Sequence, residues 1–154
     1  MVRSVMSDPD PLTVDVVLLD LVARTRSEVL QRIAEHAAAL VGHAAPEIFR
    51  ALVDRERLGS TGVGSEVALP HADIPGLDRS VTLFARLARP VDWDAIDEHP
   101  IDLIAAVLSP SPNGGGSSDI LARFARILRN PVARQRLSAA STADQVREIL
   151  ADRD

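Results

Sequence analysis

Residues 101–108, IDLIAAVL, are apolar at every position except Asp102. A strand of that composition has no face to give to water, so it must be buried on both sides. The chain therefore needs covering layers above and below, and the rest of the sequence offers them. Thr25-Arg-Ser-Glu28 is a capping box, in which Thr25 accepts from the N3 amide while Glu28 reaches back. Val29, Leu30, Ile33, Ala37, Leu40 and Val41 then recur at helical spacing, which predicts an amphipathic helix over 26–41 ended near Gly42. Pro46 suits the first turn of a second helix, with Ile48, Phe49, Leu52 and Val53 on its apolar face. Further helices are expected at 118–129, at 131–139 opening on Pro131, and at 142–152 opening at Ser141 or Thr142.

Two other stretches, VDVVLLDL at 14–21 and SVTLFARLA at 80–88, read as strands, and Glu66–His71 as a brief extended segment. A turn is expected around Pro90–Pro100, and SPSPNGGGSS at 109–118 reads as a loop, not a domain linker. The fold class that results is α/β: one compact domain, a small mixed sheet of about five strands flanked by helices on both faces. Its expected span is 12–154, with 1–11 as a disordered N-terminal extension.

Composition then removes whole classes of function. A net charge of −5 argues against general affinity for nucleic acid, which needs clustered cations. All 17 basic residues are arginine, so Schiff-base and P-loop lysine chemistry is absent, and with no cysteine there are no thiolate nucleophiles or disulfides. No apolar run approaches the ~20 residues that span a bilayer. The first eleven residues lack the apolar core of a signal peptide. The expectation is a soluble cytoplasmic protein without membrane insertion or a nucleic-acid partner. His36, His43 and His99 stand at no metal-ligand spacing and read as structural, so neither metal nor cofactor is expected.

Chemistry concentrates in residues 55–73, RERLGSTGVGSEVALPHAD. A Gly-rich loop with Ser60, Thr61 and Gly62 offers amides and hydroxyls of the kind that bind phosphoryl groups. Arg55 and Arg57 precede it, and a guanidinium pairs well with two phosphate oxygens. His71 follows Pro70, where a rigid backbone aims its imidazole. A neutral imidazole nitrogen is nucleophilic near physiological pH and accepts phosphoryl. The glycine spacing is neither Walker A nor GxGxxG. From these residues alone, His71 is either a phosphoryl acceptor or a solvent-facing histidine after a proline. Arg55 either contacts phosphate, caps its own helix or pairs with Glu56 or Asp54. Arg123, Arg126 and Arg129 share one helix face, solvated or turned to an acidic partner.

The run Arg55-Glu56-x-x-Gly59-Ser60-Thr61-Gly62-x-Gly64, followed by Val67-Ala68-Leu69-Pro70-His71-Ala72, resembles the signature of type-2 IIA domains of the bacterial phosphotransferase system. The resemblance extends over residues 12–152 and is nearest the nitrogen-regulatory branch. It implies that His71 is phosphorylated, with Arg55, Ser60, Thr61 and Gly62 around the phosphoryl group. It further implies an HPr-like carrier as donor and cytoplasmic target proteins bound according to phosphorylation state. A sugar-specific IIA component of fructose or mannitol type, passing phosphoryl to a IIB domain, is the nearest alternative. A IIA-like binding module that has lost phosphotransfer is the other.

Two positions depart from the family pattern. Glu66 stands where glycine is usual, which would set an anion near the phosphate. Where the family carries a second pocket histidine, this chain has Ser117, Ser118 and Asp119. Asp119 or Ser117 is the candidate replacement, the carboxylate by holding Nδ1–H of His71.

Overall fold

The computed structural model describes residues 12–95, 97–110 and 117–151, so the N-terminal extension and most of the 109–118 loop lie outside the described residues. Helix α1 (Arg26–Val41) starts and stops on local chemistry. The Thr25 hydroxyl accepts from the Glu28 amide at 3.1 Å, and the Glu28 carboxylate accepts from the Arg24 amide at 2.7 Å, one residue upstream of the usual capping-box partner. At its other end Gly42 takes the left-handed φ of 72° and donates to the Ala38 carbonyl. Helix α2 (Ala45–Leu58) carries Pro46 in its first turn, where the missing amide costs no intrahelical bond. The later helices are α3 (Ser117–Leu128), α4 (Pro131–Ala139) and α5 (Ala143–Ala151).

The strands are β1 (Val16–Leu21), β2 (Gly62–Gly64), β3 (Val67–Ala68), β4 (His71–Asp73), β5 (Val81–Val91) and β6 (Ile101–Ser109). They form one mixed sheet in the order β1-β5-β6-β3-β2, with β4 also on β6. The two short strands β3 and β4 are one extended path beside β6, both parallel to it: Val67 lies opposite Leu103 and His71 opposite Val107. Pro70 sits between them. Its carbonyl accepts from the Val107 amide at 3.0 Å, and it has no N–H to leave unsatisfied. That register fixes His71 as the first residue of β4, held by the most buried strand of the sheet.

Strand β6 is covered on both faces, as its composition requires. Ile104, Ala106 and Leu108 pack with α1 and α2, while Leu103, Ala105 and Val107 pack with α3, α4 and α5. Two expectations are corrected. The segment after residue 88 is no turn at Pro90, because β5 runs on through it to Val91. The β5–β6 register shifts between Arg86 and Val91, and such an irregularity tolerates a proline inside a strand. The Gly-rich stretch is not loop throughout: Gly62–Gly64 is a strand, within the mixed sheet of about five strands that was expected, six with β4 counted. Among the described residues no helix is long and apolar enough to cross a membrane.

Candidate functional site

The imidazole of His71 is half-buried and has a partner on each ring nitrogen. Nδ1 lies 2.9 Å from the Leu69 carbonyl oxygen. A carbonyl only accepts, so Nδ1 carries the hydrogen and the neutral ring keeps its lone pair on Nε2. Arg55, in the last turn of α2, donates to that lone pair from Nε at 3.3 Å. Its Nη1 donates to the Gly59 carbonyl at 2.8 Å, so Arg55 caps its own helix and faces the histidine at once. Neither neighbouring acid competes for it: Asp54 lies 3.5 Å from Arg57, and Glu56 turns inward. The arrangement is a nucleophilic nitrogen with a cation at its lone pair, suited to receive an anionic electrophile.

The Gly-rich loop is shaped by bonds within the protein. The Ser60 hydroxyl accepts from the Gly62 amide at 3.0 Å. Thr61 is buried, its hydroxyl donating to the Glu56 carboxylate and accepting from the Trp93 indole at 3.4 Å. A Cβ on Gly62 would fall 2.7 Å from Cβ of Ala95, so close approach of the 91–95 segment is what demands glycine there. The expected phosphoryl contacts from Ser60, Thr61 and Gly62 are thus set against other engagements, and Arg55 alone of that group touches His71. Sequence reasoning missed Glu56 as a structural centre. A signal existed: Glu56 continues the buried stripe Ile48, Leu52 at helical spacing.

Residues 10–153 match the family model described as "Phosphoenolpyruvate-dependent sugar phosphotransferase system, EIIA 2". The chain belongs to the EIIA 2 family. It is 37% identical over 142 residues to a nitrogen regulatory protein of Bradyrhizobium diazoefficiens, covering 92% of this chain and 93% of that one. It is similar to the crystal structure of nitrogen regulatory protein IIA-Ntr from Neisseria meningitidis, with a TM-score of 0.82, 30% identity and coverage of 88% and 92%. A fructose-specific EIIA component of Haloferax volcanii is 33% identical over 102 residues, 66% of each chain.

The two departures of this EIIA 2 chain now have locations. Asp119 is exposed in the first turn of α3 and makes no hydrogen bond to His71, whose Nδ1–H is taken by the Leu69 carbonyl. The Ser117 side chain lies outside the described residues. Glu66 does not present its charge to the histidine: its carboxylate pairs with Arg134 of α4 at 2.9 Å, and Arg134 also reaches Asp102 at 3.3 Å. Ser65 and Glu66 both have positive φ, 56° and 66°, so the β2–β3 hairpin closes on a two-residue turn of the primed type. Glycine is at ease in that backbone and glutamate is strained. Among the described residues no group of three or more His, Asp or Glu side chains is placed to hold a metal.

Proposed function

We propose that this EIIA 2 protein is a regulatory phosphocarrier: His71 accepts a phosphoryl group from an HPr-like carrier, and its two forms bind cytoplasmic target proteins differently. The observation that carries the reading is the fixed ring, with Nδ1–H on the Leu69 carbonyl and the Nε2 lone pair facing Arg55. Nε2 attacks the phosphorus of the carrier's phosphohistidine. A new N–P bond forms on His71, the carrier's N–P bond breaks, and its electron pair returns to the carrier's ring. No proton has to leave Nε2, because it holds none. Arg55 gives up the lone pair and turns its guanidinium to the equatorial oxygens, whose charge a loose transition state leaves exposed. Ser60, Thr61 and Gly62 serve this step by shaping the turn that carries the Gly59 carbonyl. The phosphoryl group then adds a charge of about −1.5 to −2 beside the exposed end of α2, enough to change which partner surface fits.

The regulatory role draws on the relatives that are nitrogen regulatory proteins. A second reading, a sugar-specific IIA component handing phosphoryl to a IIB domain, is favoured by the fructose-specific relative. Intact-mass analysis after incubation with phosphoenolpyruvate, enzyme I and the HPr-like carrier tests the shared step. One acid-labile phosphoryl adduct is expected on wild type and none on His71→Ala. A charged carrier with no adduct on wild type overturns the phosphocarrier reading and leaves a phosphorylation-independent binding module. Rapid loss of the adduct to an added IIB domain would select the sugar-specific reading.

A further inference from the structure

Glu56 is the buried carboxylate of the segment, and the step just described does not use it. Its side chain is 4% exposed, and its polar partners come from two segments, Arg26 at the start of α1 and Thr61 after α2. The Thr61 hydroxyl and the Thr61 amide (3.2 Å) both donate to it, and Arg26 Nη1 lies 3.5 Å away. Arg26 also donates to the Trp93 carbonyl at 2.9 Å, and the Trp93 indole donates to the Thr61 hydroxyl. Burial of a carboxylate is costly unless donors replace its water, and here a backbone amide, a hydroxyl and a guanidinium do so.

Two chains of hydrogen bonds leave this residue and converge on the two nitrogens of His71. In the first, Glu56 holds Thr61 by its amide and hydroxyl, and the Thr61 carbonyl accepts from the Leu69 amide at 2.9 Å. The Leu69 carbonyl in turn accepts Nδ1–H of His71. In the second, the Glu56 carbonyl accepts from the Gly59 amide at 3.1 Å, and the Gly59 carbonyl holds Nη1 of Arg55. Arg55 Nε then meets Nε2. The carboxylate thereby governs the turn that selects the tautomer, while the seat of Arg55 runs through the main-chain carbonyl of the same residue.

We infer that Glu56 is the positioning residue of this site, its carboxylate fixing the Nδ1–H tautomer of His71 through the turn at Thr61. Its effect on phosphoryl transfer rests on the function proposed above; its effect on the ring does not. Loss of the carboxylate frees the Thr61 amide and hydroxyl and loosens the turn that holds Leu69, so the ring samples both tautomers. Misplacement of reacting groups by about an ångström lowers rates by up to about a hundredfold.

The experiment compares wild type, Glu56→Gln, Thr61→Val and Thr61→Ser. Side-chain ¹⁵N spectra of the unphosphorylated proteins report the His71 tautomer, and transfer from the charged carrier reports rate and KM separately. Wild type and Thr61→Ser are expected to show one tautomer with hydrogen on Nδ1. Glu56→Gln and Thr61→Val are expected to show tautomer averaging, with transfer at least about tenfold slower and KM for the carrier unchanged. If Glu56→Gln fails to fold, Thr61→Val carries the same comparison. Folded variants with a lower Tm but the wild-type tautomer and rate would overturn the inference and leave Glu56 a purely structural group. If wild type takes no phosphoryl group at all, the function fails while the tautomer comparison still decides the positioning.

Discussion

Two glutamates ten residues apart in the same segment, Glu56 and Glu66, stand in opposite circumstances. Glu56 lies on the buried stripe of α2 in ordinary helical backbone, and its carboxylate is enclosed by donors. Glu66 is exposed, its backbone is in the left-handed region, and its carboxylate meets the half-buried Arg134, which also reaches Asp102. At Glu56 the side chain holds the backbone in place, whereas at Glu66 the backbone is unfavourable to the side chain it bears. The charge is the same, and burial and φ decide what it does. Removing a partner from a buried polar group leaves the others unsatisfied, while an exposed ion pair contributes little.

The widest separation between the two should come from Glu56→Ala. It strips acceptors from the Thr61 amide and hydroxyl in a buried setting and leaves Arg26, among the described residues, with the Trp93 carbonyl. A loss of about 3 kcal/mol is expected in denaturant unfolding, read as a fall in midpoint at constant slope. A loss below about 1 kcal/mol would place Glu56 in the same class as an exposed pair and break the contrast. Gly62→Ala tests the same turn from its packing side. The added methyl has Ala95 at 2.7 Å, so either the 91–95 segment or β2 must shift. About 2 kcal/mol of destabilisation is expected, and an unchanged Tm would show that the close approach is readily relieved.

What was legible in the sequence follows the range of the interaction responsible. Helices α1 and α4 were placed to the residue because their ends depend on near neighbours: Thr25 and Gly42 for one, Asn130 and Pro131 for the other. The Asn130 side chain accepts from the Val132 and Ala133 amides, a bond internal to four residues. Strand β2 is glycine-rich and three residues long, and it is a strand only because β3 pairs with it. The continuation of β5 past Pro90 likewise depends on a register shift against β6 that no local pattern encodes. Within the site, Pro70-His71 stood out by residue type, but the group that sets its tautomer is the Leu69 backbone carbonyl, which leaves no trace in residue identity. Hydroxyls in a Gly-rich loop look the same whether they bind an anion or, like Thr61, turn inward. Glu56 was readable from periodicity, since an acid on an apolar stripe needs buried partners.

The smallest effect, and the sharpest test of the contrast, lies at Glu66. Glu66→Gly loses the pair with Arg134, which an exposed carboxylate makes worth less than about 1 kcal/mol. It also relieves the left-handed backbone at φ 66°, a cost of about 1 kcal/mol for a residue with a Cβ. The two changes oppose each other, so stability should shift by less than about 1 kcal/mol in either direction. Glu66→Ala loses the same pair and keeps the strain, so it should be less stable than Glu66→Gly by about 1 kcal/mol. That difference isolates the backbone, because the ion pair is absent from both. Equal stabilities would mean the hairpin turn stores no strain at this residue. In both variants the His71 tautomer should stay as in wild type, because the Glu66 carboxylate has no part in the bonds to either ring nitrogen. A change in that tautomer would extend control of the site to the hairpin tip and erase the distinction between the two glutamates.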